Sequence, residues 1–131
     1  MRALDSAVLL DVLRGETRAS RAFPEGETTE LVATELAFAE LSLMARWDAG
    51  PGRERRLAAL DRLRRHIAFL PLDEAAARAI AGVRLRMPRA PPWFAQHLGV
   101  LESRGVAEWV VPIPKGRISR AATKVALVDY R

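Results

Sequence analysis

Apolar residues in this chain come in short blocks, and a polar or glycine- and proline-containing break follows each block. The segment 2–15 starts with a short apolar stretch and passes abruptly through Asp5 and Ser6. It then continues with apolar residues at helical spacing as far as Gly15. This order predicts a strand, an acidic step at its carboxyl end, and a helix that ends at the glycine.

The rest of the chain repeats this alternation. We predict strands over 28–34, 67–72, 106–111 and 122–130, and helices over 35–47, 53–66, 73–87 and 93–104. Breaks fall at 48–52, 88–92 and 112–116, and 16–26 reads as a loop or a short helix with a turn. Strands that alternate with helices across short polar breaks favour a parallel-sheet α/β sandwich, here a single domain over 1–131.

One acidic residue interrupts the apolar face of the helix over 35–47. Leu36, Leu43, Met44 and Trp47 form the apolar stripe that we predict for this helix, and Glu40 lies on it. A carboxylate that faces a core is costly unless it is paired or bound to a metal. Glu40 therefore either pairs with an arginine or lies at the edge of the stripe, or it converges with a second acid on a divalent ion.

Asp5 is the candidate for that second acid. A carboxylate after a parallel strand lies where α/β sheets open their ligand crevice, although Asp is also a favoured helix N-cap. The sequence has no cysteine and two histidines, so a site built from Asp5 and Glu40 offers mainly hard oxygen ligands. Such a site suits Mg²⁺ or Mn²⁺.

Composition and charge bear on the cellular compartment of the protein and on the partners that it could bind. The absence of cysteine excludes disulfides and thiolate metal sites, and no apolar run is long enough for a membrane span or a signal peptide, which predicts a soluble cytoplasmic protein. The formal net charge is +5. Basic residues cluster in 53–65 and 115–131, which suits a polyphosphate partner or simply a solvated face.

Three segments of the chain resemble PIN domains, specifically the small VapC-like branch of toxin–antitoxin systems. They are LDSAVLLDVLRG at 4–15, TELAFAEL at 34–41 and LPLDEAAARAIAGVRLRM at 70–87. In that family the acid after the first strand is a metal ligand, matched here by Asp5. A second acid followed by leucine is matched by Glu40. The resemblance covers residues 1–87 well, and the order of the later elements also fits.

This resemblance implies a PIN-like three-layer α/β/α sandwich with a short parallel central sheet. It implies a Mg²⁺- or Mn²⁺-dependent endoribonuclease in which Asp5 and Glu40 hold the metal and act in catalysis. It further implies RNA as the substrate, a cognate antitoxin protein as a possible partner, a homodimer, and no association with a membrane.

The chain departs from the family pattern after residue 87. The family's third acid opens the helix that we place at 93–104, yet no carboxylate occurs there before Glu102. The fourth position follows the next strand, where Pro112–Ile113–Pro114 stand instead.

The departures leave several alternatives open. His97 could replace a ligand but reads more readily as a surface or core histidine, and Asp129 matches no metal position of the family. A non-catalytic PIN-like module that binds RNA or protein is therefore a second class of function. A folded chain without function is a third.

Overall fold

A single parallel sheet forms the centre of the structure. The computed structural model describes residues 1–22, 29–47 and 50–131. The strands are β1 (Arg2–Leu4), β2 (Leu31–Thr34), β3 (Ala68–Leu70), β4 (Glu108–Val111) and β5 (Ala126–Asp129). Their spatial order is β3-β2-β1-β4-β5, and each neighbouring pair is parallel. The predicted parallel α/β fold is therefore confirmed.

Helices occupy the connections between these strands. They are α1 (Ser6–Arg14), α2 (Glu35–Trp47), α3 (Arg53–His66), α4 (Glu74–Arg86) and α5 (Pro92–Ser103), with 3-10 turns at Thr17–Ala22 and Arg120–Ala122. Within the described ranges, no helix combines the length and the apolar character that a membrane crossing requires. The predicted helices match to within a residue or two, whereas the strands over 67–72 and 122–130 were predicted too long. Parts of the predicted segments 16–26, 28–34 and 48–52 lie outside the described residues.

The two faces of the sheet carry separate cores, which gives the expected three layers. Because successive side chains in a strand point to opposite faces, Ala3 and Trp109 pack against α4 and α5, while Leu4 and Val110 pack against α1, α2 and α3. Strands buried on both faces are typical of parallel sheets covered by helices. The fold is an α/β/α sandwich.

The predicted apolar stripe on α2 is wrong. The buried residues of this helix are Ala37, Leu41 and Ala45, whereas Leu43 and Trp47 are 61% and 83% exposed. Two of the three buried residues are alanines, and Leu41 is the large apolar side chain among them. Glu40 consequently lies beside the core and not in it.

Helices α4 and α5 meet at a glycine. A Cβ atom added to Gly99 would lie 2.5 Å from Cγ1 of Ile80 and 2.6 Å from its backbone N and Cα. Such a separation is shorter than any real Cβ contact, so only glycine permits this approach of the two helices. The contact fixes α5, the helix that supplies His97 and Trp93 to the site described below.

We therefore expect Gly99→Ala to lower the free energy of unfolding by about 1–3 kcal/mol, because the methyl group forces α4 and α5 apart. Gly82→Ala on α4 is the matched control. Its Cβ would meet only the flexible end of Arg86 at 3.5 Å, and alanine there should be neutral or stabilising by up to about 1 kcal/mol. Urea denaturation measures both changes, and equal stability of the two variants would contradict the close approach.

Candidate active site

Asp5 lies at the carboxyl edge of the sheet and has two roles there. It directly follows β1, and its Oδ2 accepts a hydrogen bond of 3.0 Å from the backbone N–H of Ala7, which caps α1. The same side chain is only 5% exposed and lines a recess that opens at this edge. The cap and the crevice position were alternatives in the sequence, and the structure shows both.

The buried carboxylate of Asp5 lacks a cationic hydrogen-bond partner among the described contacts. Burial raises the pKa of Asp5 above its usual value, and the nearby negative charge of Glu40 adds to this effect. The Ala7 N–H and the imidazole of His97 oppose the increase without reversing it. A desolvated acid beside another acid in a cleft is a typical feature of functional sites.

Glu40 reaches the same recess from the first half of α2. Its Oε2 accepts a hydrogen bond of 2.6 Å from the hydroxyl of Ser6, and its Oε1 lies 2.8 Å from Nε2 of His97. The side chain stays 46% exposed. The hydrogen bond to His97 is the main cause that lowers the pKa of Glu40, and burial opposes it. Glu40 thus pairs with a histidine, and not with an arginine as one reading of the sequence expected.

His97 is buried and is held from both sides of its ring. Its Nδ1 lies 2.9 Å from Oγ1 of Thr34, and that oxygen also accepts the N–H of Ala37 at 3.0 Å. The Thr34 hydroxyl proton is then free to point at Nδ1, so the geometry favours the tautomer in which Nε2–H donates to Glu40. The ring also stacks on Trp109, with 5.9 Å between centroids and an interplanar angle of 17°.

The recess itself measures about 280 Å³ and is lined by Asp5, Ser6, Glu40 and Trp93. The structure therefore brings together the two acids that the sequence singled out, although they are separated by 35 positions. Asp129 is not part of this lining. It ends the edge strand β5, where its Oδ1 accepts the N–H of Ile113 at 3.0 Å.

The donor set is small but compatible with a hard divalent cation. Mg²⁺ commonly binds proteins through one or two carboxylates and keeps several waters. The described residues hold no group of three or more His, Cys, Asp or Glu side chains arranged around a metal position. Among the described side chains, Asp5 and Glu40 are the carboxylates that line the recess and could contact a cation there.

The two basic clusters lie in different places relative to the recess. Arg64 and Arg65 of α3 flank a separate opening with Glu30 and Ala68, at the amino ends of β2 and β3. This opening is on the opposite edge of the sheet from Asp5. The basic C-terminal segment instead begins in the loop after β4, which leaves the sheet on the same edge as the carboxylates.

Comparison with known proteins identifies the fold. No protein-family model matches the sequence, and no curated protein matches it. Among solved structures, a chain of VapBC2 from Rickettsia felis bound to a promoter DNA fragment is 10% identical with a TM-score of 0.78, covering 98% of this chain and 97% of the other. A chain of VapBC-5 from Mycobacterium tuberculosis is 22% identical with a TM-score of 0.71, covering 97% and 96%.

A chain of FitAcB from Neisseria gonorrhoeae is also similar, at 16% identity and a TM-score of 0.72, covering 99% of this chain and 98% of the other. The Mycobacterium tuberculosis neighbour is a member of the VapBC family of toxin–antitoxin systems. The chain therefore has the PIN fold in its VapC-like form, as the resemblance predicted. Identities at this level establish the fold, while the roles of Asp5 and Glu40 stay predictions.

The charge of Asp5 can be tested separately from its capping role, because asparagine caps helices equally well. An ionised acid whose pKa is raised by folding opposes the folded state above its unfolded pKa. We expect Asp5→Asn, measured with EDTA present, to be more stable than the wild type at pH 7. The difference should shrink as the pH falls through the folded pKa and vanish below the ordinary value of 3.8.

Asp61→Asn on the exposed face of α3 is the control for this charge change. It should leave the pH dependence of unfolding as it is in the wild type. A less stable Asp5→Asn variant, or a stability difference that is the same at every pH, would contradict the burial of an unpaired charge at Asp5.

Removal of the imidazole tests the contact to Glu40. Because the His97 hydrogen bond lowers the pKa of Glu40, we expect His97→Ala to raise that pKa, as measured by carboxyl-carbon NMR titration. Gln96→Ala changes the adjacent exposed position of α5 and should leave the Glu40 titration unchanged. An unaltered Glu40 pKa in His97→Ala would show that the two side chains do not interact in solution.

Proposed function

We propose that this chain is a toxin-type PIN protein that cleaves RNA with Mg²⁺ or Mn²⁺, with Asp5 and Glu40 as its catalytic and metal-binding carboxylates. One observation carries the proposal. Two acids that follow neighbouring parallel strands line one recess, and one of them is buried with no cationic hydrogen-bond partner among the described residues. A bound divalent cation would supply the missing charge and, in phosphodiester hydrolysis, would polarise the phosphate and lower the pKa of the attacking water.

The chain's own residues preorganise this site. Ser6 and His97 hold the two oxygens of Glu40 at 2.6 and 2.8 Å, so its carboxylate has one orientation before any ligand arrives. Each of these oxygens keeps a lone pair that can accept a cation. Asp5 is fixed at its Oδ2 by the start of α1. Hydrogen-bonded ligands of this kind bind metals more tightly than free ones.

The proposal includes a protein partner and a second copy of the chain. One neighbouring structure belongs to the VapBC family of toxin–antitoxin systems, and another is a toxin–antitoxin complex from Klebsiella pneumoniae. In this chain α2 exposes Leu43 and Trp47, and Met44 lines a largely apolar recess with Leu10 and Leu13 of α1. Large exposed apolar side chains of this kind mark protein-binding surfaces. An antitoxin segment and a homodimer are the partners that we propose for this surface.

A non-catalytic binding module is the second candidate, and a specific observation favours it. The helix that would carry the third acid of the family presents Trp93 and His97 to the site instead, and His97 already occupies one oxygen of Glu40. Two carboxylates bind a cation weakly, so loss of cleavage with retention of RNA or protein binding is a consistent alternative.

One experiment separates the two candidates. We expect calorimetry to show Mn²⁺ binding to the wild type with a Kd on the order of 0.1–1 mM, the weak end of the range for carboxylate sites. Asp5→Asn and Glu40→Gln should each abolish the binding. RNA cleavage should require the metal, stop with EDTA, and disappear in both variants.

Asp61→Asn carries the same chemical change on an exposed face of α3 and should leave Mn²⁺ binding and cleavage intact. Absence of Mn²⁺ binding at millimolar concentration would contradict the nuclease proposal. Cleavage that persists in Asp5→Asn would show that the activity comes from elsewhere.

A further inference from the structure

An aromatic side chain stands beside the two carboxylates. Trp93 lies in the first turn of α5 and is 40% exposed, and it lines the recess together with Asp5, Ser6 and Glu40. Tryptophan is usually well buried in proteins. A partly exposed indole in an otherwise polar recess therefore offers a flat apolar surface next to the carboxylates of Asp5 and Glu40.

The indole is fixed in place by its surroundings. Proline at the first position of α5 sets the start of the helix. The Trp93 ring makes edge contacts with Phe94 at 5.7 Å and with His97 at 6.3 Å between centroids. Both of those rings pack in turn on the buried Trp109. Because the ring is already ordered, a ligand that stacks on it loses little additional side-chain entropy.

We propose that Trp93 is a substrate-binding residue that stacks on a nucleobase of single-stranded RNA beside the bond presented to Asp5 and Glu40. The inference rests on the proposed function and specifies how the same site selects its substrate. Exposed bases of unpaired RNA are commonly recognised by stacking on aromatic side chains, and the interaction tolerates different sequences. Double-stranded RNA keeps its bases stacked inside the helix and cannot use such a surface.

The charge of the connection after β4 agrees with this choice of ligand. Lys115 and Arg117 are exposed in this connection, which leaves the carboxyl end of the strand next to β1. Basic residues of this kind hold the sugar–phosphate backbone, while the indole would contact a base. The carboxylates themselves repel phosphate, so a contact with the base adds affinity that the site lacks without metal.

The test measures RNA binding without cleavage. A short fluorescein-labelled single-stranded RNA of mixed sequence is titrated with the protein in EDTA, and its anisotropy is followed. We expect Trp93→Ala to weaken binding by about 5- to 150-fold, the range that loss of one stacked base predicts. Trp93→Phe keeps an aromatic face and should retain most of the affinity, whereas Trp93→Leu should not.

Two controls assign the effect to base stacking at this position. Leu85→Ala removes an 84% exposed apolar side chain from α4, away from the proposed partner surface, and should leave RNA affinity unchanged. An abasic RNA of the same length should bind the wild type and Trp93→Ala equally. Should Trp93→Ala fail to fold, as judged by circular dichroism, the Phe and Leu variants decide the question.

Several results would overturn the inference. One is no RNA binding by the wild type, and another is equal affinity of the Phe and Leu variants for RNA. A third is that Trp93→Ala weakens the binding of abasic RNA as much as the binding of intact RNA. A Trp93→Ala variant that keeps its RNA affinity but loses binding to an arginine-rich peptide would assign the indole to a cation instead. By contrast, Trp93-dependent binding without metal-dependent cleavage would refute the proposed nuclease activity and leave the stacking role standing.

Discussion

The position of β1 in the middle of the sheet is the constraint on which the site depends. This strand is only three residues long, yet it pairs with β2 on one side and β4 on the other. Asp5 follows it directly and donates its own backbone N–H to the carbonyl of Val110 at 3.0 Å. The acid is therefore held at the centre of the carboxyl edge, where its side chain is only 5% exposed. Its burial, its raised pKa and its place in the recess all follow from this arrangement.

A protein-supplied imidazole is the feature that sets this site apart from one made of carboxylates alone. Two acids in one recess repel each other, and His97 compensates one of them with a hydrogen bond to Glu40. For the other acid, Asp5, burial and the charge of Glu40 still disfavour the ionised form and raise its pKa. The two carboxylates therefore differ, since Glu40 is hydrogen-bonded to an imidazole while Asp5 is buried with a raised pKa. Trp93 adds an apolar side chain to the lining of the recess, at the start of α5, the helix in which the family pattern has its third acid.

Much of the fold was accessible from the sequence, because it depends on local signals. The alternation of strands and helices and the end of α1 at Gly15 were predicted from residue type and spacing, and both are confirmed. The apolar face of α2 was read wrongly, since its helix packs with alanines and exposes Leu43 and Trp47.

The candidate site was accessible only in part. The meeting of Asp5 and Glu40 followed from the geometry of parallel strands and is found in the structure. The contacts of His97 with Thr34 and Glu40 join residues 63 and 57 positions apart. No periodicity in the sequence signals such a pairing, and the histidine was accordingly read as an ordinary surface or core residue. A buried, hydrogen-bonded histidine could have been suspected only from its place on an otherwise apolar helix.

The hydroxyl of Thr34 makes one contact with the start of α2 and another with the imidazole of His97. It accepts one of the free N–H groups in the first turn of α2, that of Ala37, and it lies against the imidazole that contacts Glu40. We therefore expect fraying of the first turn of α2 and release of the imidazole to be coupled. The exchange rate of the Ala37 amide hydrogen with solvent then reports how often the recess loses its shape, even in the absence of any ligand.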